Sequence, residues 1–213
     1  MNQPVRSQRW QRRKEARPAE LLDAALDVFF EKGFAAARLE DIAARAGVSK
    51  GTVYLYFKSK DDVFEALVHA IPEPNIEQLR AVAADASIPA DETLRRVLTF
   101  VGLMFKDGRM MKFPRLIIGE GGRFPKIAET YKRLVISRGV NILSAIIERG
   151  IEEGRFRIVD PKHAAYGAMA PLLFGAIWKT TFERFDDKPL DAQALIEQHI
   201  ETFLRGITVG SGP

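Results

Sequence analysis

The stretch from Leu39 to Lys60, LEDIAARAGVSKGTVYLYFKSK, constrains the fold more than any other part of the chain. Leu39, Ile42, Ala43 and Ala46 fall at i, i+3, i+4 and i+7, the apolar stripe of an amphipathic helix. Gly47 follows, and glycine takes the left-handed conformation at a helix end without penalty. Val48 is positioned to tuck under the turn. Ser49 is a good N-cap, so a second helix can begin at Lys50. Val53 and Phe57 give that helix a buried side, leaving Lys50, Gly51, Thr52, Tyr54 and Tyr56 outward.

Two short helices joined by a glycine-containing turn is the helix-turn-helix plan. Its second helix lies in the DNA major groove, with the N-terminal residues nearest the base edges. Gly51 lets the helix start approach DNA closely, Thr52 offers a hydroxyl and a methyl, and Lys50 reaches a base edge or a phosphate. The hydroxyls of Tyr54 and Tyr56 are within reach of phosphates. The competing reading is an ordinary solvated helix face.

The match runs further than the plan. Asp41-Ile42-Ala43, Ala46 through Tyr54, Tyr56-Phe57 and Ser59-Lys60 closely resemble the DNA-binding domain of TetR-type (tetracycline-repressor-like) regulators, over residues 18–70. The resemblance implies that Lys60 and the helix start beside it contact the DNA backbone, with Lys58 a further phosphate candidate. One departure is Arg38, where the family usually has a capping Thr; a phosphate contact by Arg38 would compensate.

Composition fits this reading. Hydrophobic residues make up 46% of 213, enough for a real core. The absence of Cys excludes disulfide frameworks and thiolate metal sites and fits a reducing cytoplasm. No apolar run follows the basic start, so no secretory signal is expected. The longest apolar run, Ala168 to Trp178, is shorter than the roughly 20 residues that span a bilayer. The net charge is +4, and residues 1–17 hold Arg6, Arg9, Arg12, Arg13, Lys14 and Arg17 against Glu15 alone. This stretch is expected to be a disordered basic arm whose arginines, Arg12 and Arg13 among them, follow the DNA backbone or enter the minor groove. A merely solubilising tail is the alternative.

The first helix is expected to start at Pro18, bury Leu21, Leu22, Ala25, Leu26, Phe29 and Phe30, and stop at Gly33. Ser59 and Asp62 form a capping box for the helix after the motif. Pro72 and Pro74 then mark a boundary, giving an arm at 1–17, a helix-turn-helix domain at 18–70 and a larger domain at 71–213. In the larger domain helices are expected over 75–85, after the cap Asp91, through 112–119, from Phe124-Pro125 to Gly150, from Asp160-Pro161 to Phe185 with a kink at Pro171, and after Asp191. No stretch reads as a strand, so the fold class is all-α, with about nine to ten helices.

No catalytic constellation is present. His69, His163 and His199 lack ligand spacing, and Glu120-Gly121-Gly122 follows no strand and lacks phosphate-loop spacing. No enzyme activity, metal, cofactor or membrane partner is expected. The larger domain does carry many large apolar residues, and a Pro-kinked helical bundle can leave an apolar cavity. The resemblance implies a small-molecule effector there. The candidates are Met104, Phe105, Tyr131, Tyr166, Met169 and Phe174, with Arg115 or Glu120 as polar anchors; ordinary core is the competing reading. The resemblance also implies a homodimer through the last two helices, with Leu173, Ile177, Trp178, Phe182, Ile196, Ile200 and Phe203 as candidates. Two readers would then meet the half-sites of a palindromic operator about 34–36 Å apart, or a multiple of that. The implied function is a transcriptional regulator, most simply a repressor released from DNA by a largely apolar ligand and controlling efflux or catabolic genes. A regulator without a ligand, and a helical enzyme or interaction module, are the alternatives.

Overall fold

The computed structural model describes the backbone of residues 5–105 and 108–210, and side chains from residue 18 onward. Helix α1 spans Val5–Ala36. Its backbone is helical well before Pro18, where the sequence led us to expect a disordered arm; the side chains of Arg12 and Arg13 lie outside the described residues. Gly33, at φ 77° and ψ 157°, interrupts the helix at the expected stop, and a side chain there would run into the Glu120 carboxylate.

Helices α2 (Leu39–Arg45) and α3 (Lys50–Tyr56) flank a turn in which Gly47 takes φ 64°. The turn is closed by Val48 N–H donating to the Ala43 carbonyl at 3.0 Å. Ser49 Oγ accepts from Thr52 N–H at 3.3 Å, the expected cap. Helix α4 (Lys60–Ala70) begins with the expected reciprocal box: Ser59 Oγ accepts from Asp62 N–H, and Asp62 Oδ2 from Ser59 N–H, both at 3.1 Å.

Helix α5 (Pro72–Ala83) starts earlier than the expected 75–85, because Pro72 itself occupies the first helical position. Helix α6 (Ala90–Met104) opens after Pro89. Asp91 is therefore not its cap; it lies in the first turn and pairs with Arg155 at 3.0 Å. Helix α7 (Gly108–Glu120) leads through a tight corner into α8 (Pro125–Tyr131). A π-helical turn at Lys132–Ile136 joins α8 to α9 (Ser137–Glu152), so the expected long helix carries one bulge. Helix α10 (Pro161–Ile177), capped by Asp160 accepting from His163 N–H at 2.7 Å, stays helical through Pro171. The irregularity expected at that proline falls later, in a π turn at Trp178–Phe182 and a 3-10 turn at Glu183–Phe185. Helix α11 (Ala192–Ile207) is capped by Asp191 as expected. The one extended pairing among the described residues is an isolated bridge between Phe156 and Thr208.

Two cores organise these helices. The first gathers α1–α4 around Phe29, Phe34, Phe64 and Phe113, all nearly inaccessible to solvent. Phe34 is its hub, with ring centroids 5.1 Å from Phe29, 6.1 Å from Phe64 and 5.1 Å from Phe124. Helices α7 and α8 lie beyond the boundary drawn near residue 71, yet their Phe113, Leu116 and Ile127 belong to this core. The second core joins α5, α6, α9, α10 and α11 through residues such as Leu94, Leu98, Ile147 and Leu204. The α7–α8 corner thus ties the helix-turn-helix to the rest of the bundle.

Candidate nucleic-acid interface and effector cavity

Val53 and Phe57 anchor α3 on the first core, which turns the opposite face outward. Lys50, Gly51, Tyr54 and Tyr56 are exposed, and Thr52 is half-buried with its hydroxyl 2.9 Å from Ser49 Oγ. Leu55 is 83% exposed on the same helix, a large apolar side chain that sequence reasoning missed. Its signal was present: a helix docked through Val53 and Phe57 has no inward place for position 55.

The second missed residue is Glu40, in the first turn of α2. Its carboxylate pairs with Lys50, and Oε1 accepts from the Tyr54 hydroxyl at 3.3 Å. The Lys50 bond is the main cause holding the Glu40 carboxyl below its ordinary range, and the same bond raises Lys50. Two outward donors of α3 therefore share one acid. Sequence spacing did not reveal this, because the contact crosses between helices.

Arg38 is exposed, and its backbone N–H donates to Asp41 Oδ2 at 3.0 Å. A guanidinium cannot accept the reciprocal bond, so the α2 start keeps only half of a capping box. Lys58 is exposed. Lys60 turns its ammonium inward, donating to the carbonyls of Phe34 at 2.6 Å and Ala35 at 2.9 Å. It also lies 4.8 Å from the Phe34 ring centroid and 5.4 Å from that of Phe124. The ammonium satisfies carbonyls left open where α1 ends, a role that competes with the phosphate contact read from the motif.

Beneath this reader the bundle encloses an apolar cavity of about 430 Å³. Five of the expected residues, Met104, Phe105, Tyr131, Tyr166 and Met169, line it. Further wall comes from Met110 and Pro114 of α7, Val97 and Val101 of α6, Val135 of the π turn, and Gly139 and Val140 of α9. Among the described residues no charged side chain lines it, and its hydroxyls are those of Tyr131 and Tyr166. Burial pushes the Tyr131 phenol far above its ordinary value, so it acts only as a neutral hydrogen-bonding group. The Tyr131 ring stacks on Phe113 of the first core, with centroids 5.9 Å apart and planes at 12°.

Three expected ligand residues lie elsewhere. Phe174 is 53% exposed beside Trp178 on the outer face of α10. Arg115 donates to the Thr180 carbonyl at 2.7 Å and covers the Phe30 ring. Glu120 sits against Gly33 at the α7–α8 corner. The seven expected dimer residues also divide. Leu173 and Phe182 are exposed, and Ile177, Trp178 and Phe203 half-buried. Ile200 is buried in the second core and Ile196 packs on Gly102, so both are committed inside the chain.

Among the described residues no group of His, Cys, Asp and Glu could hold a metal ion, and no helix is long and apolar enough to cross a membrane. A helix-turn-helix reader joined to a larger helical bundle defines a class, the DNA-binding transcriptional regulators. Residues 21–67 match the model for bacterial regulatory proteins of the tetR family, and residues 92–206 that for the C-terminal domain of AefR-like transcriptional repressors. The chain belongs to the TetR family of regulators, which are not enzymes. It is 27% identical over 200 residues to the fatty acid metabolism regulator protein of Bacillus subtilis, covering 91% of this chain and 98% of that protein. It is 26% identical over 199 residues to the regulator RutR of Escherichia coli K12, covering 93% of this chain and 92% of RutR. Among solved structures it resembles FadR from Bacillus subtilis in complex with stearoyl-CoA, with a TM-score of 0.67, 26% identity, and 89% and 98% of the two chains covered.

Proposed function

We propose that this regulator is a homodimeric repressor that leaves a palindromic operator when an elongated, largely apolar ligand enters the bundle cavity. The observation that carries the reading is the cavity wall: Met110, Pro114 and Tyr131 line it from α7 and α8, the two helices that also complete the reader's core. A ligand that spreads this wall moves the corner at Phe124, which is wedged against Phe34 and lies beside Lys60. That displaces the α1–α4 junction and changes the spacing between two readers. The ligand must bind the released state more tightly than the DNA-bound state for this to operate. The fatty acid regulator and the stearoyl-CoA complex among the similar proteins support an acyl-type ligand.

On DNA, Lys50, Gly51, Thr52, Tyr54 and Leu55 face the major groove, and Tyr56, Lys58 and Arg38 face phosphates, with Arg12 and Arg13 adding sequence-tolerant affinity. Leu173 and Phe174 of α10, with Trp178 and Phe182 of the π turn that follows it, meet their twofold mates. Control of lipid-related catabolic or efflux genes fits this ligand, and action in the cytoplasm follows from its DNA target.

Binding to the DNA flanking its own gene, against excess random DNA, tests the reading. Competitor-resistant binding that a long-chain acyl compound abolishes is the expected result. Operator binding indifferent to every apolar compound, with no thermal shift from any of them, would leave a regulator without a ligand.

A further inference from the structure

A second concavity, of about 450 Å³, opens between α5 and α9. Its character is opposite to that of the apolar cavity: Arg80, Arg138, Arg149 and Glu77 line it, with Glu73 and Glu153 reaching Arg138 and Arg149 from its margin. The two spaces meet back to back, because Ile76 and Ile142 line both. Gly139 stands at the same crossing, where a Cβ would approach Ile76 Cδ1 only to 3.8 Å. The partition is thus two aliphatic side chains beside a glycine.

The arginines are not equally engaged. Arg138 donates to Glu73 at 2.7 Å and lies 3.5 Å from Glu77. Arg149 donates to Thr93 Oγ1 at 2.8 Å, while its buried Nε has no hydrogen-bond acceptor, the nearest carboxylate oxygen of Glu153 standing 3.5 Å away. Arg80 is 72% exposed and its nearest carboxylate oxygen, of Glu77, is 3.9 Å away. The groove therefore offers one loosely held guanidinium and two that are pre-positioned, a donor set suited to phosphate.

We infer that cavity and groove are two halves of one site, which takes an amphiphile whose long apolar chain enters past Ile76 and Ile142 while its phosphate-bearing head rests on Arg80, Arg138 and Arg149. The inference rests on the proposed cavity ligand and adds its head group and point of entry. The shared chemistry, a chain joined to phosphate, belongs both to acyl thioesters of coenzyme A and to lysophosphatidate-type lipids. A free neutral chain would use only the cavity.

Calorimetric titration of the full chain, below micellar concentrations, separates these. The probes are lauroyl-CoA, lauroyl lysophosphatidate, dodecanol and coenzyme A alone, each on the native protein and on Arg80→Glu. At least one phosphate-bearing amphiphile should bind about tenfold tighter than dodecanol. Arg80→Glu should erase that margin and leave dodecanol binding unchanged, and added salt should narrow it in the native protein. Which amphiphile binds more tightly identifies the source of the head group. Equal binding of dodecanol and both amphiphiles, unaffected by Arg80→Glu, would overturn the joint site and leave the cavity reading standing. Coenzyme A alone matching lauroyl-CoA would overturn it too, by uncoupling head from chain. Binding of none of the four would remove the cavity reading and this inference together.

Discussion

The two cores are made of the same residue types and end differently. Around Phe34 the reader packs solid, with Leu26, Phe29, Ile42, Val53, Phe64 and Leu67 all at or near zero exposure. Between α6, α8, α9 and α10, an equally apolar set encloses about 430 Å³. The difference follows from element length and connection. Helices α2 and α3 have seven residues each and are joined by a capped turn, so each apolar side chain has one place to go. Helices α6, α9 and α10 have 15 to 17 residues, and α9 and α10 are each continuous with a π turn, a local irregularity in the helix ladder. A large buried apolar residue on α1–α4 is scaffold, whereas one on the bundle helices can be wall, as Met104, Met110 and Met169 are.

The largest test of that contrast is truncation. Phe34→Ala removes the hub of a filled core and should cost about 3–5 kcal/mol in urea unfolding, with DNA binding lost as the reader loosens. Met104→Ala, half-buried and facing the cavity, gives up fewer contacts and should cost well under 2 kcal/mol. Equal costs would mean that the cavity closes up in solution.

Enlargement sharpens the same point from the other side. Val63 in the reader is fully buried, so Val63→Leu overpacks and should cost about 1–3 kcal/mol. Val101→Leu points the added volume into the cavity and should be near neutral, while weakening any ligand held there.

Legibility in the sequence followed the same division. Ser49, Ser59, Asp160 and Asp191 act as caps as read, because a cap is a contact within a few residues. Gly33 and Gly47 take positive φ for the same local reason. What escaped were particular contacts between distant segments. Nothing near Phe174 in sequence says that it lies on the outer face of α10 while Met169, five residues earlier, lines the cavity. Ile196 and Ile200 carry the spacing of an interface stripe, and that stripe happens to face Gly102 and the second core. The motif gave Lys60 a phosphate role, whereas the approach of α4 to the end of α1 gives it two carbonyls.

That last reassignment has its own test. Lys60→Met should lower stability by about 1–3 kcal/mol, since it leaves part-buried carbonyls without a charged donor. At temperatures where the variant is folded, the slope of DNA affinity against salt should be unchanged. Lys58→Ala should do the reverse: little effect on stability and a slope reduced by about one counterion. A reduced slope in Lys60→Met would return Lys60 to the DNA backbone.

The smallest effect concerns Glu40, the acid shared by Lys50 and Tyr54. In free protein it occupies two donors of the surface proposed to meet DNA, and under that proposal its charge would face phosphate. Glu40→Gln keeps the shape and removes the charge, so operator affinity should rise about two- to fivefold, a small effect because the groups are exposed. The sign of the pH dependence follows from the direction of the shift. The Glu40 carboxyl is held below its ordinary value of 4.5, first by the Lys50 bond. The pairing is therefore complete above that value and is lost as pH falls through the depressed one. From about pH 6 to 8 the affinity ratio of Glu40→Gln to native protein should stay constant, because Glu40 is ionised throughout. A ratio of one, or a ratio that drifts across that interval, would mean that Glu40 does not compete with DNA for Lys50 and Tyr54.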